Sequence, residues 1–186
     1  QIIPLLDNID HEAGSIGSVN CIRVDRTGGG YATTGFNTDA EGFRKSLIPL
    51  LKPGHERALI LGTGGSSRTV AYVLTKLGIS CTFVSRTPGT GAQISYEQVN
   101  ADLLSEHLLV INTTPLGMFP GVNEYPPLPY QALGNKHLLY DLVYNPAESR
   151  FLQFGRKADS LTKNGMEMLT LQAEYSWAIW RGHQPA

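Results

Sequence analysis

The chain has 186 residues, 41% of them hydrophobic and 17% charged, and fifteen Lys+Arg against sixteen Asp+Glu leave a formal charge of −1. That length suits one domain, or one domain plus a piece of a second, and it can bury a sizeable core. The balanced charge argues against a nucleic-acid binder driven by a global basic field, and no run of about 18 apolar residues exists to cross a membrane.

The start, Gln1-Ile2-Ile3-Pro4-Leu5-Leu6, has neither a basic flank nor a long apolar stretch, so it does not read as a signal peptide. It also lacks an initiator Met, and the chain is expected to begin inside a longer gene product. A short helical pattern follows. Residues 18–24 alternate and read as a strand, Arg26-Thr27-Gly28-Gly29-Gly30 as a turn, and residues 31–36 as the returning strand. Asn37-Thr38-Asp39 opens a helix through about Leu51, with Asp39 placed to cap it. Lys52-Pro53-Gly54 is the expected junction between two regions.

From about residue 57 to 165, short apolar runs alternate with helical stretches, the rhythm of a parallel sheet. Ala58-Leu59-Ile60-Leu61 is a continuous apolar run, as expected of a strand buried on both faces. Gly62-Thr63-Gly64-Gly65-Ser66-Ser67 comes next, then a helix from Arg68 to Lys76 closed by Gly78. Residues 81–84, 108–111 and 138–143 are further strands. A last helix runs from about Gly165 to Trp180, with Met166, Leu169, Ala173, Trp177 and Trp180 spaced for a buried face. The fold class is therefore α/β, a Rossmann-like parallel sheet with helices on both faces, joined to the remainder of an α/β substrate domain.

Cys21 and Cys81 form no CxxC or Cys/His cluster, which disfavours a disulfide framework and a zinc site and suits a reducing cytoplasm. The histidines at 11, 55, 107, 137 and 183 are scattered, and no metal site is expected. The strongest chemical signal is the strand, glycine turn and helix at 58–76. Gly62 permits the tight turn, while Gly64 and Gly65 let backbone N–H groups approach a pyrophosphate at a helix N-terminus. Ser67 stands where the usual fingerprint has Gly or Ala. At the end of the second strand, where an NAD site normally carries Asp or Glu, the chain has Ser85-Arg86-Thr87; a guanidinium with flanking hydroxyls suits a 2′-phosphate and favours NADP. Asn112-Thr113-Thr114 ends the third strand and borders the ligand crevice. Asp141 ends the fourth and reads as structural, bonded to backbone; Tyr144 follows it. On sequence physics alone Asp39 is a helix cap.

Taken together these residues resemble the shikimate dehydrogenase family. Seven motifs stand in that family's order across essentially the whole chain: Ile16-Gly17-Ser18-Val19-Asn20, Gly35-Phe36-Asn37-Thr38-Asp39, the glycine turn at 62–67, Ser85-Arg86-Thr87, the segment 111–118, the segment 140–146, and Gly165-Met166-Glu167-Met168-Leu169 with Gln172. The resemblance implies reduction of 3-dehydroshikimate to shikimate with NADPH, in a cleft between a substrate domain and a dinucleotide domain. It implies that Asp39 is the acidic member of a catalytic Lys–Asp pair. Asn20, Asp39, Tyr144 and Gln172 would contact substrate. Gly62, Thr63, Gly64, Gly65, Ser66, Ser85, Arg86, Thr87, Asn112, Thr113, Leu142 and Gly165 would contact the cofactor. Residues 1–52 then belong to the substrate domain, 53–164 to the dinucleotide domain, and 165–186 to a helix returning to the former. The expected partners are a small-molecule substrate and NADP, without nucleic acid or membrane, and a homodimer is the assembly left open.

Three departures from the family shape the expectation. The family's catalytic Lys sits just before a stretch like residues 1–6, and that segment is absent, as are the paired serines that hold the substrate carboxylate. The 186 residues are therefore expected to be a C-terminal portion, inactive alone. Where many NADP-dependent members carry a second Arg, Pro88-Gly89-Thr90-Gly91 follows here. Two other readings stay open: a non-catalytic dinucleotide-binding module, and a quinate/shikimate dehydrogenase that uses NAD.

Overall fold

The computed structural model describes residues 2–89 and 93–182; Gln1, Thr90, Gly91 and His183, named above, lie outside the described residues. Two sheets organise the chain. The first holds β1 (Asn8–Ile9), β2 (Cys21–Thr27) and β3 (Gly30–Phe36), in the order β1-β3-β2. The hairpin strands pair antiparallel from Cys21 opposite Phe36 to Thr27 opposite Gly30, so the turn is tighter than the glycine run suggests. Gly30, at φ +153, supplies the conformation that closes it. Helix α1 (His11–Ile16) links β1 to β2, and Asp10 caps it by accepting from the N–H groups of Glu12 and Ala13.

Helix α2 (Thr38–Leu47) leads out of β3. Its cap is Asn37, whose Oδ1 accepts from the N–H of Ala40 at 3.1 Å. Asp39 is not the cap: it lies within the first turn, and its carboxylate is free of that task.

The second sheet is parallel and six-stranded. Its members are β4 (Arg57–Leu61), β5 (Ser80–Ser85), β6 (Gln93–Ser95), β7 (Leu109–Asn112), β8 (Leu138–Asp141) and β9 (Leu161–Lys163), in the order β6-β5-β4-β7-β8-β9. Strand order reverses between β4 and β7, the switch point outside which open α/β sheets bind ligands. The fold is thus α/β and Rossmann-like. One face is covered by α2, by α3 (Gly65–Lys76) and by α6 (Met166–Trp180); the other by α4 (Ala101–Glu106), α5 (Arg150–Lys157) and the turn Tyr130–Ala132. Phe43 and Leu47 of α2 share a core with Ile60, Ile111 and Tyr140 of the sheet, and the Ser46 and Tyr140 hydroxyls bond at 2.7 Å. Residues on both sides of Lys52-Pro53 therefore share one continuous core.

The expected buried face of α6 is the exposed one. Trp177 and Trp180 keep 58% and 55% of their surface, and Met166, Leu169 and Ala173 lie on the same open side. The helix instead buries Met168, Tyr175, Ser176 and Ile179. The helix is apolar on most sides, so spacing alone does not choose a face. The notch at Gly42 does: a Cβ there would stand 2.8 Å from the Met168 carbonyl oxygen, so α2 and α6 meet backbone to backbone.

Candidate functional site

The glycine turn leaves β4 at the switch point. Gly62 holds φ +109, and a Cβ on it would come within 2.9 Å of Thr113 Oγ1. Gly64 faces open space. The helix after it begins at Gly65, three residues earlier than the sequence suggests, so Gly65 and Ser66 sit in its first turn, whose N–H groups have no partner within the helix. Ser67 fits for a reason the fingerprint does not hold. It is fully buried, its Oγ accepts from the Gly64 N–H at 3.0 Å, and it bonds Thr113 Oγ1 at 2.7 Å. The hydroxyl thereby sets the shape of the turn and ties it to the end of β7.

One cavity of about 180 Å³ opens beside this turn, lined by Asp39, Ser66, Leu142, Tyr144, Gly165, Met168, Leu169 and Gln172. It gathers residues from α2, α3, α6 and the loop after β8. Six of them are site residues named from sequence; Met168 and Leu169 are additions, although they stand in the quoted motif. Gly165 is required here, since a Cβ on it would overlap the Leu142 carbonyl. Asp39 is half-buried. Burial raises its carboxyl above the usual range, and a hydrogen bond from the Asn20 side chain opposes that rise.

Asn20 is exposed beside Asp39, and its amide is oriented by α2. Its Oδ1 accepts from the Thr38 N–H at 2.8 Å, and its Nδ2 donates to Thr38 Oγ1 at 3.0 Å. Thr38 also meets Ser176 Oγ at 3.0 Å and Gln172 Oε1 at 3.4 Å. Sequence reasoning passes over the pairing of Thr38 with Gln172 and Ser176 because the partners lie 134 and 138 positions apart. At the far end of the crevice, Ser85 is half-buried at the end of β5, with Arg86 and Thr87 exposed after it. Thr63 is exposed on the glycine turn.

Asn112 has another task than facing the crevice. It is fully buried; its Oδ1 accepts from the N–H and hydroxyl of Thr114 at 3.0 and 2.6 Å, and its Nδ2 donates to Asp141 at 2.9 Å. Both ends of the amide are used inside the protein. Thr113 likewise spends its hydroxyl on the Leu61 carbonyl, at 2.6 Å.

A six-stranded parallel sheet in this order, with a glycine turn and a mixed polar cavity at its switch point, defines a dinucleotide-type α/β protein. No protein-family model matches the chain. It is 36% identical over 205 residues to a shikimate dehydrogenase (NADP(+)) of Halothermothrix orenii, covering 100% of this chain and 70% of that protein. A shikimate 5-dehydrogenase of Thermus thermophilus, solved in complex with NADP(H) and shikimate, superposes with a TM-score of 0.80 at 30% identity, covering 100% of this chain and 70% of the other. A quinate dehydrogenase of Corynebacterium glutamicum, in complex with NAD, superposes at 0.84 with 27% identity over 100% and 70% of the two chains. The chain belongs to the shikimate dehydrogenase family of oxidoreductases. Among the described residues, no helix is long and apolar enough to cross a membrane.

Proposed function

We propose that the chain carries the dinucleotide site and part of the substrate site of an NADP-dependent enzyme that interconverts 3-dehydroshikimate and shikimate. The observation that supports it best is the cavity joining Asp39, Gln172 and Tyr144 to Ser66 and Gly165 at the sheet's switch point. The residues fit a dinucleotide. Gly64 leaves open space where a side chain would block a pyrophosphate, and the first turn of α3 offers N–H groups and a positive helix end to it. Arg86, exposed between Ser85 and Thr87, would hold the 2′-phosphate. In this reading residues 53–164 make the dinucleotide unit, and 1–52 with 165–186 frame the substrate.

Bound NADPH would supply a hydride to the ketone carbon, leaving the oxygen to take a proton. Asp39, which lines the cavity, would take part in handling that proton. Asn20 and Gln172, both held by Thr38, would read substrate hydroxyls, and a site built this way rejects analogues that lack them. The family resemblance pairs Asp39 with a lysine, and among the described residues no lysine lines the cavity. The 186 residues assayed alone are therefore expected to oxidise shikimate negligibly while still binding NADPH.

The test joins binding and turnover. Fluorescence titration should show NADPH bound by the chain, and Arg86→Ala should weaken NADPH far more than NADH; equal losses would remove the 2′-phosphate contact. In an active protein that contains this chain, Asp39→Asn should lower kcat by orders of magnitude with the fold kept, and a near-normal rate would leave Asp39 without a chemical role. The NAD-bound quinate dehydrogenase, and Pro88-Gly89 where a second Arg is common, support a second reading in which NAD and quinate are used. Tighter NADH than NADPH binding would favour it. The free thiols Cys21 and Cys81 suit the cytoplasm.

A further inference from the structure

We propose that Asp141 is a positioning residue for the cleft, fastening the loops after β7 and β8 to each other through one buried carboxylate. The inference rests on the dinucleotide reading above. Asp141 ends β8 and is fully buried. Its Oδ1 accepts from Asn112 Nδ2 at 2.9 Å and from the Val143 N–H at 3.0 Å, and its Oδ2 accepts from the Ser149 hydroxyl.

Each partner passes the restraint on. Asn112 clamps Thr114 and, at 3.3 Å, the Leu116 carbonyl. Its neighbour Thr113 bonds Ser67, which holds the Gly64 N–H. On the other side, the Val143 carbonyl accepts from the Gly165 N–H at 3.1 Å, and Leu142 and Tyr144 flank Val143 in the cavity wall. One carboxylate thus stands between the pyrophosphate turn and the wall of the cavity.

Only the ionised form offers acceptors to all three donors at once. A protonated Asp141 keeps Oδ1 as the acceptor for Asn112 and Val143 but turns an Oδ2–H toward Ser149, whose hydroxyl must then accept instead of donate. Burial pushes the Asp141 pKa up to about 6, against the opposing hydrogen bonds from Ser149, Val143 and Asn112. The titratable group coupled to it is Tyr130, which burial first and the Asp141 charge second hold in its neutral form. A charge that the fold holds at a cost to itself is what a positioning role explains.

The experiment compares the full chain with its Asp141→Asn variant, an isosteric change in which the new amide can donate to Ser149 Oγ. Circular dichroism checks the fold. At pH 7.5, amide exchange in residues 113–118 and 142–149 is expected to speed up about tenfold in the variant, with β4 and α3 unchanged. NADPH, read by fluorescence, should bind the variant about tenfold more weakly at pH 7.5, with the ratio closing toward one at pH 5, where wild type carries the proton too. Titration of the ligand's own phosphate cancels in that ratio. Unchanged exchange, equal affinity or a ratio independent of pH overturns the proposal. Binding by neither protein overturns the dinucleotide reading instead, and exchange then still decides whether Asp141 holds the loops. Should the variant not fold, Ser149→Ala removes a single donor and is expected to speed exchange in the same segments about threefold; unchanged exchange there overturns the proposal equally.

Discussion

The two sheets solve burial differently. In the six-stranded sheet, Leu59, Ile60, Leu61, Leu109, Val110, Ile111, Leu138, Leu139 and Tyr140 are all fully buried, because helices cover both faces. In the three-stranded sheet, Val24 keeps 58% of its surface and Tyr31 67%, and β1 is two residues long. The six-stranded sheet carries the packing free energy; the three-stranded one is held at its margins by Asp7 bonding to Thr33 and by the Trp180 indole N–H donating to the Ile22 carbonyl. Stability should be concentrated in the sheet that also shapes the cleft.

The largest expected effect tests that contrast directly. Phe151 is fully buried beneath the sheet, in a core with Leu139 and Val110. Phe151→Ala should cost about 3–5 kcal/mol in guanidinium unfolding, whereas Val24→Ala should stay within about 0.5 kcal/mol. Comparable losses would mean that the small sheet bears as much of the fold as the large one.

The same contrast explains what is legible in the sequence. Strands β4, β7 and β8 are continuous apolar runs because both faces are buried, and they can be read to within a residue or two. The edge strands β6 and β9 are three residues each and half-buried, with Gln93, Ser95, Thr162 and Lys163 among them, so no period or apolar run marks them. Helix α5 is one-sided, burying Phe151, Leu152 and Gly155, but it spans only eight residues with a glycine inside, so length and propensity do not mark it; Gly155 is needed where a Cβ would meet Leu139 at 2.6 Å. In the cleft, the glycine turn is visible because its constraint is local. The Thr38 hub and the Asn112–Asp141–Ser149 network are not, since they join segments distant in sequence. Asp39 reads as a cap because an acidic residue at a helix start satisfies that role by default; Asn37 fills it.

A buried charge inside the strong sheet gives the next effect. The folded pKa of Asp141 is about 6, above its ordinary 3.8, with burial as the cause. The folded chain thus holds this proton more tightly than the unfolded one. Its stabilising contribution is fully present below about pH 4 and is lost as pH rises through about 6. The rise corresponds to about 3 kcal/mol, so lowering the pH from 8 to 4 should stabilise wild type relative to Asp141→Asn by up to that amount. Urea unfolding of both proteins across that range measures it. A difference that ran the other way would show the three hydrogen bonds outweighing burial.

Ser67 is smaller in effect and nearer the cleft. Ser67→Ala removes the acceptor of the Gly64 N–H and the partner of Thr113, and should cost about 1–2 kcal/mol. If the hydroxyl shapes the turn, NADPH affinity should fall with stability. A variant that lost stability alone would confine Ser67 to packing.

The smallest expected effect falls on α6, whose two sides repeat the contrast between the sheets on one helix. Its inner side packs Met168, Tyr175, Ser176 and Ile179 on α2, across the notch at Gly42. Its outer side carries Trp177 and Trp180, more than half exposed, with the Arg181 guanidinium 5.9 Å from the Trp177 ring centre. An apolar side chain contributes to folding by the area it removes from water, and Trp177 leaves more than half of its area exposed. Trp177→Ser should therefore change the stability of this chain by no more than about 0.5 kcal/mol. Thermal and guanidinium unfolding would both read it. A loss of several kcal/mol would return the buried face to the stripe that spacing alone selects, and would mean that the Gly42 notch does not set how α6 docks.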